Sequence, residues 1–508
     1  MDQAKRVAKN TGFLYAKMLI SMVISLYATR LVLNALGIVD YGIFNLVGGV
    51  IAMLSFLNAS MTVSSQRYFS VELGKNNSSR LKDIFKSSTY LHLLIGFVVV
   101  LILEILGVFI FDGFLNIPSD RITTAKWVYQ FMIFSAFFTM NSVPFDAVIN
   151  SHENMLFDAI VGIFESFLKL GIAIWLIYYD ADRLLLYAIL VASLTIFIRI
   201  VKSVYCIRKY PECKIDFKEN LDKPLFNEML NFASWNLIGS LAGIGRNQGL
   251  ALILNLFFGA VVNAAYGVAN QVAGQLNAFS SMMLKAVNPQ IMKSEGASDR
   301  FRMLRIAMTS SKLSFLLLAL FAIPCIFEMN NILTLWLKEV PEYTVIFCNL
   351  ILIAAMTNQL TIGLASALQA TGKIKLYQTV VGLLLLVNLP IAYFLLKMGF
   401  PAYSALISYI AIEALACCFR IMFLKNIAGL SIKHYLDRVL FRIILPVLFS
   451  VIACYFITTM VQMSLRFLVT GVVSALVLFT SIYFFGLYKE EKQIVASLVS
   501  FVKGKIKN

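Results

Sequence analysis

Five cationic side chains fall inside long apolar stretches of this chain, where an uncompensated charge is costly: Lys17, Arg30, Lys169, Arg246 and Lys312. A Lys or Arg at the centre of a bilayer costs about 2.5–3.5 kcal/mol even on a mild insertion scale. Arg30 and Lys312 lie near the ends of their stretches, where snorkelling to the headgroups is the alternative, and Lys17 is intermediate. Cations held inside a membrane predict a wet cavity for an anionic ligand, and phosphate or pyrophosphate suits the charge-assisted bonds they form.

The local sequence around two of these cations refines their interpretation. Arg246 is followed by Asn247 and has three glycines close by, a combination that favours a cavity wall. Lys169 follows Glu165 by four residues, so the two can form an ion pair along one helix face. A purely structural ion pair therefore remains the alternative for Lys169.

Polar and small residues recur at helical spacing in three of the stretches. Positions 263, 270, 274, 277 and 281 are 7, 4, 3 and 4 residues apart, which places them on one helix face. Helix packing explains any single stripe, but three stripes together favour a shared wet cavity. The stripes are Asn263/Asn270/Gly274/Asn277/Ser281, Asn236/Ser240/Gly243/Asn247 and Lys17/Ser21/Ser25. The residues predicted to bind substrate are Lys17, Lys169, Arg246, Arg30, Asn247, Asn270 and Asn277.

Carboxylates are fewer in the apolar stretches and form no pattern typical of catalysis. They are Glu104, Asp146, Glu165 and Glu413, and Pro144 beside Asp146 predicts a local distortion of its helix. The seven cysteines and three histidines are scattered, which predicts neither a metal site nor a disulfide framework. No cofactor is expected.

The elements that must position these side chains are membrane-spanning helices. A helix needs about 20 apolar residues to cross the hydrocarbon core, and the chain offers about fourteen such runs. We therefore predict an all-α polytopic membrane protein, which agrees with 60% hydrophobic and 14% charged residues. The predicted spans are 11–33, 38–60, 87–111, 127–149, 158–179, 184–205, 230–252, 262–284, 305–328, 344–369, 376–396, 402–424, 439–459 and 465–486.

The net charge of +16 could indicate nucleic-acid binding, but the positive-inside rule explains it without a nucleic acid. With the N-terminus and every second loop in the cytoplasm, that side holds about 32 of the 43 Lys and Arg residues. The basic clusters, including 199–223 and 420–442, are interpreted as orientation signals and contacts with anionic lipid. The sequence thus predicts an N-in, C-in topology with an uncleaved first span.

The two halves of the chain resemble each other. Leu33-Asn34, Gly37 and Tyr41-Gly42 recur as Leu254-Asn255, Gly259 and Tyr266-Gly267, at offsets of about 221 to 225 residues. Six spans per repeat predict two parallel, pseudo-symmetric lobes. The predicted domains are an N-lobe (1–205), a cytoplasmic linker (206–229), a C-lobe (230–424), and two further helices with a cytoplasmic tail (425–508).

An ordered set of segments resembles a known transporter family. The segments are 67–75 (RYFSVELGK), 114–118 (FLNIP), 150–155 (NSHENM), 165–170 (ESFLKL), 255–259 (NLFFG), 263–267 (NAAYG), 288–294 (NPQIMKS) and 335–337 (LWL). Together they resemble the O-antigen and capsule repeat-unit flippases of the multidrug/oligosaccharidyl-lipid/polysaccharide exporter superfamily.

This resemblance implies two six-helix lobes plus two added C-terminal helices, alternating access, and a cationic cavity for the pyrophosphate-sugar head of a polyprenyl-linked oligosaccharide. Lys17, Lys169 and Arg246 would be the matching cations. The expected location is the bacterial inner membrane, and the expected partners are this lipid-linked substrate and membrane lipid. The sugar, the oligomeric state and the energy source, whether membrane potential, protons or sodium, stay open.

Two other functions are considered from the residues. An ion-coupled multidrug or cation antiporter on the same scaffold would need an unpaired carboxylate in the cavity, for which Asp146 and Glu413 are the candidates. A membrane enzyme acting on lipid-linked sugar would need acid/base or metal-binding groups at a membrane face. The acids of the short outer loops form no such pair, so the sequence predicts a transporter and not an enzyme.

Overall fold

The chain folds into helices in a computed structural model that describes residues 2–52, 55–111, 117–215, 220–461, 463 and 465–493. Eleven helices of these described residues are long and apolar enough to cross a membrane, or twelve if one bent pair counts as a span. The all-α polytopic fold class is therefore confirmed. The predicted number of fourteen is approximate, because the helix Lys223–Gly296 covers two predicted spans and the helix Arg6–Gly49 covers one and part of the next.

The α-helices vary widely in length. They are α1 (Asp2–Ala52), α2 (Ser55–Gly74), α3 (Ser78–Phe109), α4 (Ile122–Asn141), α5 (Val143–Ser151), α6 (Met155–Ile177), α7 (Arg183–Lys209), α8 (Lys223–Gly296), α9 (Arg300–Leu337), α10 (Thr344–Gln359), α11 (Ile362–Thr371), α12 (Lys375–Lys397), α13 (Ser404–Ala428), α14 (Ile432–Tyr435), α15 (Phe441–Met460) and α16 (Arg466–Ser481). Short π-helical turns follow α14 (Leu436–Leu440) and α16 (Ile482–Gly486).

Two glycines interrupt the longest helices with the same backbone conformation. Gly37 in α1 has φ +76° and ψ 171°, and Gly259 in α8 has φ +76° and ψ −168°. This combination is open essentially to glycine alone. The two positions belong to the predicted repeat and are 222 residues apart. The two halves therefore share a break in the helix as well as similar sequence motifs.

Alanine at either glycine is expected to destabilise the protein by about 1–3 kcal/mol, because a Cβ makes this conformation strained. The space around both glycines is open, so the cost comes from the backbone and not from a clash. Thermal unfolding of the purified protein in detergent measures it. Gly171→Ala in α6 is the control, since that site is also open but has no positive φ. If Gly37→Ala and Gly259→Ala melted at the wild-type temperature, these positions would not require glycine.

The described residues separate into two compact units. We call Asn10–Leu237 the N-terminal unit, and Ile238–Asn508 with Met1–Lys9 the C-terminal unit. Each unit has a buried apolar core of its own. The core of the N-terminal unit includes Val32, Leu103, Val128, Tyr129 and Leu176. The core of the C-terminal unit includes Leu250, Leu254, Ala269, Leu318, Phe347 and Leu352.

Each unit also contains a broken span. In the N-terminal unit α4 ends at Asn141 and α5 begins at Val143, so the distortion predicted beside Pro144 is present. In the C-terminal unit α10 and α11 meet at an angle of 43° after Gln359. The Tyr435 hydroxyl donates to the carbonyl of Leu360 at this bend (2.8 Å), which satisfies a group that the break releases.

The segment after α7 packs onto the N-terminal unit. His152 Nε2 donates to Glu212 Oε1 at 2.6 Å, and the ring of His152 stacks on Tyr210. Burial by itself would raise the pKa of the Glu212 carboxyl, but the hydrogen bond and charge of His152, together with a backbone hydrogen bond, outweigh it and hold that pKa below its ordinary value. Residues 206–215 therefore pack as part of this unit.

Candidate functional site

A polar cavity of about 840 Å³ lies within the C-terminal unit. Residues of α8, α10, α11 and α13 line it. Among the described residues, the wall contains seven carboxamides, two tyrosines, one serine, one arginine and one glutamate, with small or aliphatic residues between them. The carboxamides are Asn247, Gln248, Asn263, Asn270, Asn277, Asn358 and Gln359.

The polar face of α8 supplies one wall of this cavity. All five members of the stripe predicted between positions 263 and 281 line it. Asn270 Nδ2 donates to the carbonyl of Tyr266 at 2.9 Å, which keeps that amide close to its own helix. From the opposite side, Gln359 Nε2 at the end of α10 donates to Asn277 Oδ1 at 3.2 Å. The bend after Gln359 thus places a second helix end against the α8 stripe.

A buried cluster of three charges supports the cavity wall. Arg246 Nη1 donates to Glu413 Oε2 at 2.9 Å, and Arg420 Nη1 donates to Glu413 Oε1 at 3.3 Å. Asn358 Nδ2 donates to the same Oε1 at 2.6 Å. Arg246, Glu413 and Arg420 are only 7%, 2% and 6% exposed. Because these charges are sequestered together, each depends on its partners.

Arg246 also contacts an aromatic side chain. Its Nη2 donates to the Tyr409 hydroxyl at 2.6 Å, and its guanidinium lies 3.9 Å from the centre of the Tyr409 ring. Arg246 therefore lines a cavity, as its glycine-rich surroundings predict, but its charge is compensated there. This differs from the free cation that the sequence suggests at that position.

The N-terminal unit holds a second charge cluster, made of three cations and two carboxylates. Lys17 Nζ lies 3.0 Å from Asp158 Oδ2, and Lys202 Nζ lies 3.2 Å from Asp158 Oδ1. Lys202 also contacts Asp146 Oδ1 at 2.8 Å, and Arg199 Nη1 contacts Asp146 Oδ2 at 3.3 Å. Three cations thus share two carboxylates, and Lys17 and Arg199 are partly exposed. We call these five residues the N-terminal cation cluster.

A glycine makes room for the first of these cations. A Cβ at position 162 would lie 2.1 Å from Lys17 Cε, so any larger residue there would force the flexible end of Lys17 to shift. Gly162 is one helical turn after Asp158. The Lys17 side chain therefore lies directly against α6 at Gly162.

The remaining predicted cations have different surroundings. Lys169 forms the expected ion pair with Glu165 at 2.7 Å, and it is half exposed. Arg30 is exposed, and the structure records no ion pair for it with the described residues. Lys312 is only 1% exposed and contacts Glu491 at 2.6 Å, so the snorkelling alternative is wrong for this residue. The carbonyl of Gly486 accepts a further bond from Lys312.

Several members of the two clusters are absent from the sequence-based site. Arg199 and Arg420 fall in segments interpreted as basic clusters at a membrane face, yet Arg420 is buried and Arg199 is in an ion pair. One signal was present in the sequence: Tyr409, Glu413 and Arg420 are four and seven residues apart and share a helix face. For Lys202 and Asp158 the sequence offered no comparable spacing.

Comparisons with known structures establish the fold. A MOP superfamily transporter from Pyrococcus furiosus, described as having a binding pocket of reverse polarity, aligns with a TM-score of 0.72 at 11% identity. The alignment covers 84% of this chain and 96% of that one. An outward-facing multidrug resistance MATE family transporter aligns with a TM-score of 0.71 at 10% identity, and the alignment again covers 84% of this chain and 96% of that one. The structure of MATE in the bent conformation aligns with a TM-score of 0.70 at 12% identity, over 86% of this chain and 99% of that chain.

Sequence comparison establishes the family. No curated protein matches the chain significantly. The family model described as "Polysaccharide biosynthesis protein" matches residues 7–295, which is more than half of the chain. These findings confirm the resemblance to the exporter superfamily. The chain therefore belongs to the polysaccharide biosynthesis protein family and has the fold of the membrane transporters of the MOP superfamily.

Proposed function

We propose that this protein is a flippase that moves a polyprenyl-pyrophosphate-linked oligosaccharide from the cytoplasmic to the outer leaflet of the bacterial inner membrane. It would act by alternating access, in O-antigen, capsule or exopolysaccharide synthesis. The observation that carries the proposal is the large cavity rich in carboxamides, inside a membrane-spanning unit of a polysaccharide biosynthesis family member.

The cavity addresses the main energetic problem of such transport. A sugar head that entered bare hydrocarbon would lose its hydrogen bonds to water, at several kcal/mol for each unpaired group. Amide side chains replace water with both donors and acceptors. Asn247, Asn270 and Asn277, predicted from the sequence to bind substrate, all lie on this wall. The polyprenyl chain would remain in lipid.

The N-terminal cation cluster supports the anionic part of the proposed substrate. Three of its five members are cations and two are carboxylates, and Lys17 and Arg199 are partly exposed. A pyrophosphate would form charge-assisted hydrogen bonds with such side chains. Lys169, half exposed on the same helix as Asp158, is a further candidate contact. The distribution of Lys and Arg supports an N-in, C-in orientation.

The ion-coupled antiporter gains no support from the charged residues. That function calls for an unpaired carboxylate, but Asp146 contacts Arg199 and Lys202, and Glu413 contacts two arginines. Both candidate carboxylates are thus engaged by cations. The flippase is therefore the function that the geometry supports best.

Translocation of a lipid-linked oligosaccharide into the inner leaflet of reconstituted vesicles tests the proposal. Lys17→Gln is expected to slow it by about tenfold or more, because a hydrogen bond to a charged group contributes about 1.5–3 kcal/mol. The substitution leaves Asp158 paired with Lys202 and Asp146 with Arg199, so the fold should persist. Lys82→Gln, an exposed lysine of the same unit, is the matched control. A wild-type protein that moves no such lipid above empty vesicles would refute the proposal.

A further inference from the structure

The carboxamide-lined cavity of the C-terminal unit offers a pyrophosphate no cation that is free of a carboxylate among its described lining residues. Of its described lining residues, one is a cation and one is an anion, and these two, Arg246 and Glu413, contact each other at 2.9 Å. Arg420 contacts Glu413 but is not part of the lining. An ionised pyrophosphate that entered would meet a carboxylate and an arginine already engaged.

One buried amide points to the class of ligand. Gln359 lines the cavity and is 7% exposed. Its Nε2 donates to Asn277 Oδ1, while its Oε1 has no hydrogen-bond partner among the described residues. A buried acceptor without a donor is unfavourable, so a ligand that donates to it is favoured.

Hydrogen-bond chemistry separates the two halves of the proposed substrate. An ionised pyrophosphate offers only acceptors and cannot satisfy Gln359 Oε1. A sugar hydroxyl donates and accepts, and an acetamido group donates its N–H. Carboxamides such as Asn270 and Asn277 complement both, because each carries donors and an acceptor.

We propose that this cavity binds the uncharged sugar units of the oligosaccharide through their hydroxyl and acetamido groups, and that it does not bind the pyrophosphate. Its volume of about 840 Å³ lies in the upper part of the range of about 300–1,000 Å³ that small-molecule sites occupy, which is room for a few sugar rings. The inference rests on the proposed function for the source of these sugars, but not for the chemistry of the wall.

Ligand-observed saturation-transfer NMR on the full-length protein in detergent tests this directly. The probes are short chito-oligosaccharides and malto-oligosaccharides, with inorganic pyrophosphate followed separately by phosphorus NMR. We expect saturation transfer to a sugar probe. In Asn270→Ala/Asn277→Ala the affinity for that probe should fall by about tenfold, because two hydrogen bonds to the sugar are lost. Pyrophosphate binding should be unchanged. The matched control is Asn330→Ala/Asn426→Ala, which removes two exposed amides outside the cavity.

A single substitution tests the same site if the double variant fails to fold. Gln359→Met keeps the length of the side chain but removes the unpartnered acceptor, so it too should weaken sugar binding while melting near the wild-type temperature. Absence of transfer to both sugar probes, or transfer that persists in both variants, would overturn the inference. Loss of pyrophosphate binding in these variants would overturn it as well.

The two proposals fail in different ways. Sugar binding that depends on Asn270, Asn277 and Gln359, in a protein that moves no lipid-linked oligosaccharide, would refute the flippase and leave the sugar site standing. Translocation that is active in the wild type and insensitive to substitution of these three residues would refute the sugar site and leave the flippase standing.

Discussion

Glu413→Gln is expected to destabilise the protein by about 3–5 kcal/mol, because it leaves two buried guanidinium groups without the carboxylate between them. Arg246 and Arg420 are 2.9 Å and 3.3 Å from its two oxygens. Glutamine keeps the size of the side chain, so the loss of stability reports on the negative charge alone. Thermal unfolding in detergent, followed by intrinsic fluorescence, should show a clearly lower melting temperature.

Removal of one arginine from the same cluster is the matched comparison. Arg246→Met leaves Glu413 paired one-to-one with Arg420 and should cost less than Glu413→Gln. Since Arg246 lines the cavity, this variant reports on substrate contact at the same time. If Glu413→Gln melted at or above Arg246→Met, the carboxylate would not hold the cluster together.

Gly363→Ala should be the most damaging substitution at a glycine. A Cβ there would lie 2.2 Å from the backbone carbonyl oxygen of Ala307 and 2.4 Å from Ser310 Oγ. A backbone atom cannot turn away as a flexible side chain does, so α11 must move off α9. The Gly363 N–H would also lose its bond to Ser311 Oγ (3.0 Å). Overpacking of about 1–3 kcal/mol and a lost hydrogen bond of about 1 kcal/mol predict a loss of about 2–4 kcal/mol.

The same change should disturb the cavity, because α11 begins just after Gln359 and contributes Ile362 to the wall. Melting temperature and sugar binding should therefore fall together in this variant. Gly471→Ala in α16, where a Cβ would meet nothing within 4 Å, is the control. Wild-type stability of Gly363→Ala would show that α9 and α11 do not approach as closely as described.

Much of the architecture could be predicted because it depends on local patterns. The length of apolar runs predicted the spanning helices, and the spacing of Asn270, Gly274 and Asn277 predicted one polar face. The ion pair of Glu165 with Lys169 followed from one helical turn. The shared helix break at Gly37 and Gly259 lies inside segments whose sequence is repeated between the two halves. Such features need only neighbours in the chain.

The sequence by itself determined that this is an all-helical membrane protein with cations and amides inside its spans, because length, hydropathy and helical period are read along the chain. Only the tertiary structure decided which charges are compensated. Lys17 meets Asp158 across 141 residues, and Arg246 meets Glu413 across 167. Partners so distant are brought together by the packing of helices. This packing paired Arg246 with Glu413 in an amide-lined wall and placed Lys17 in a cluster of three cations and two carboxylates.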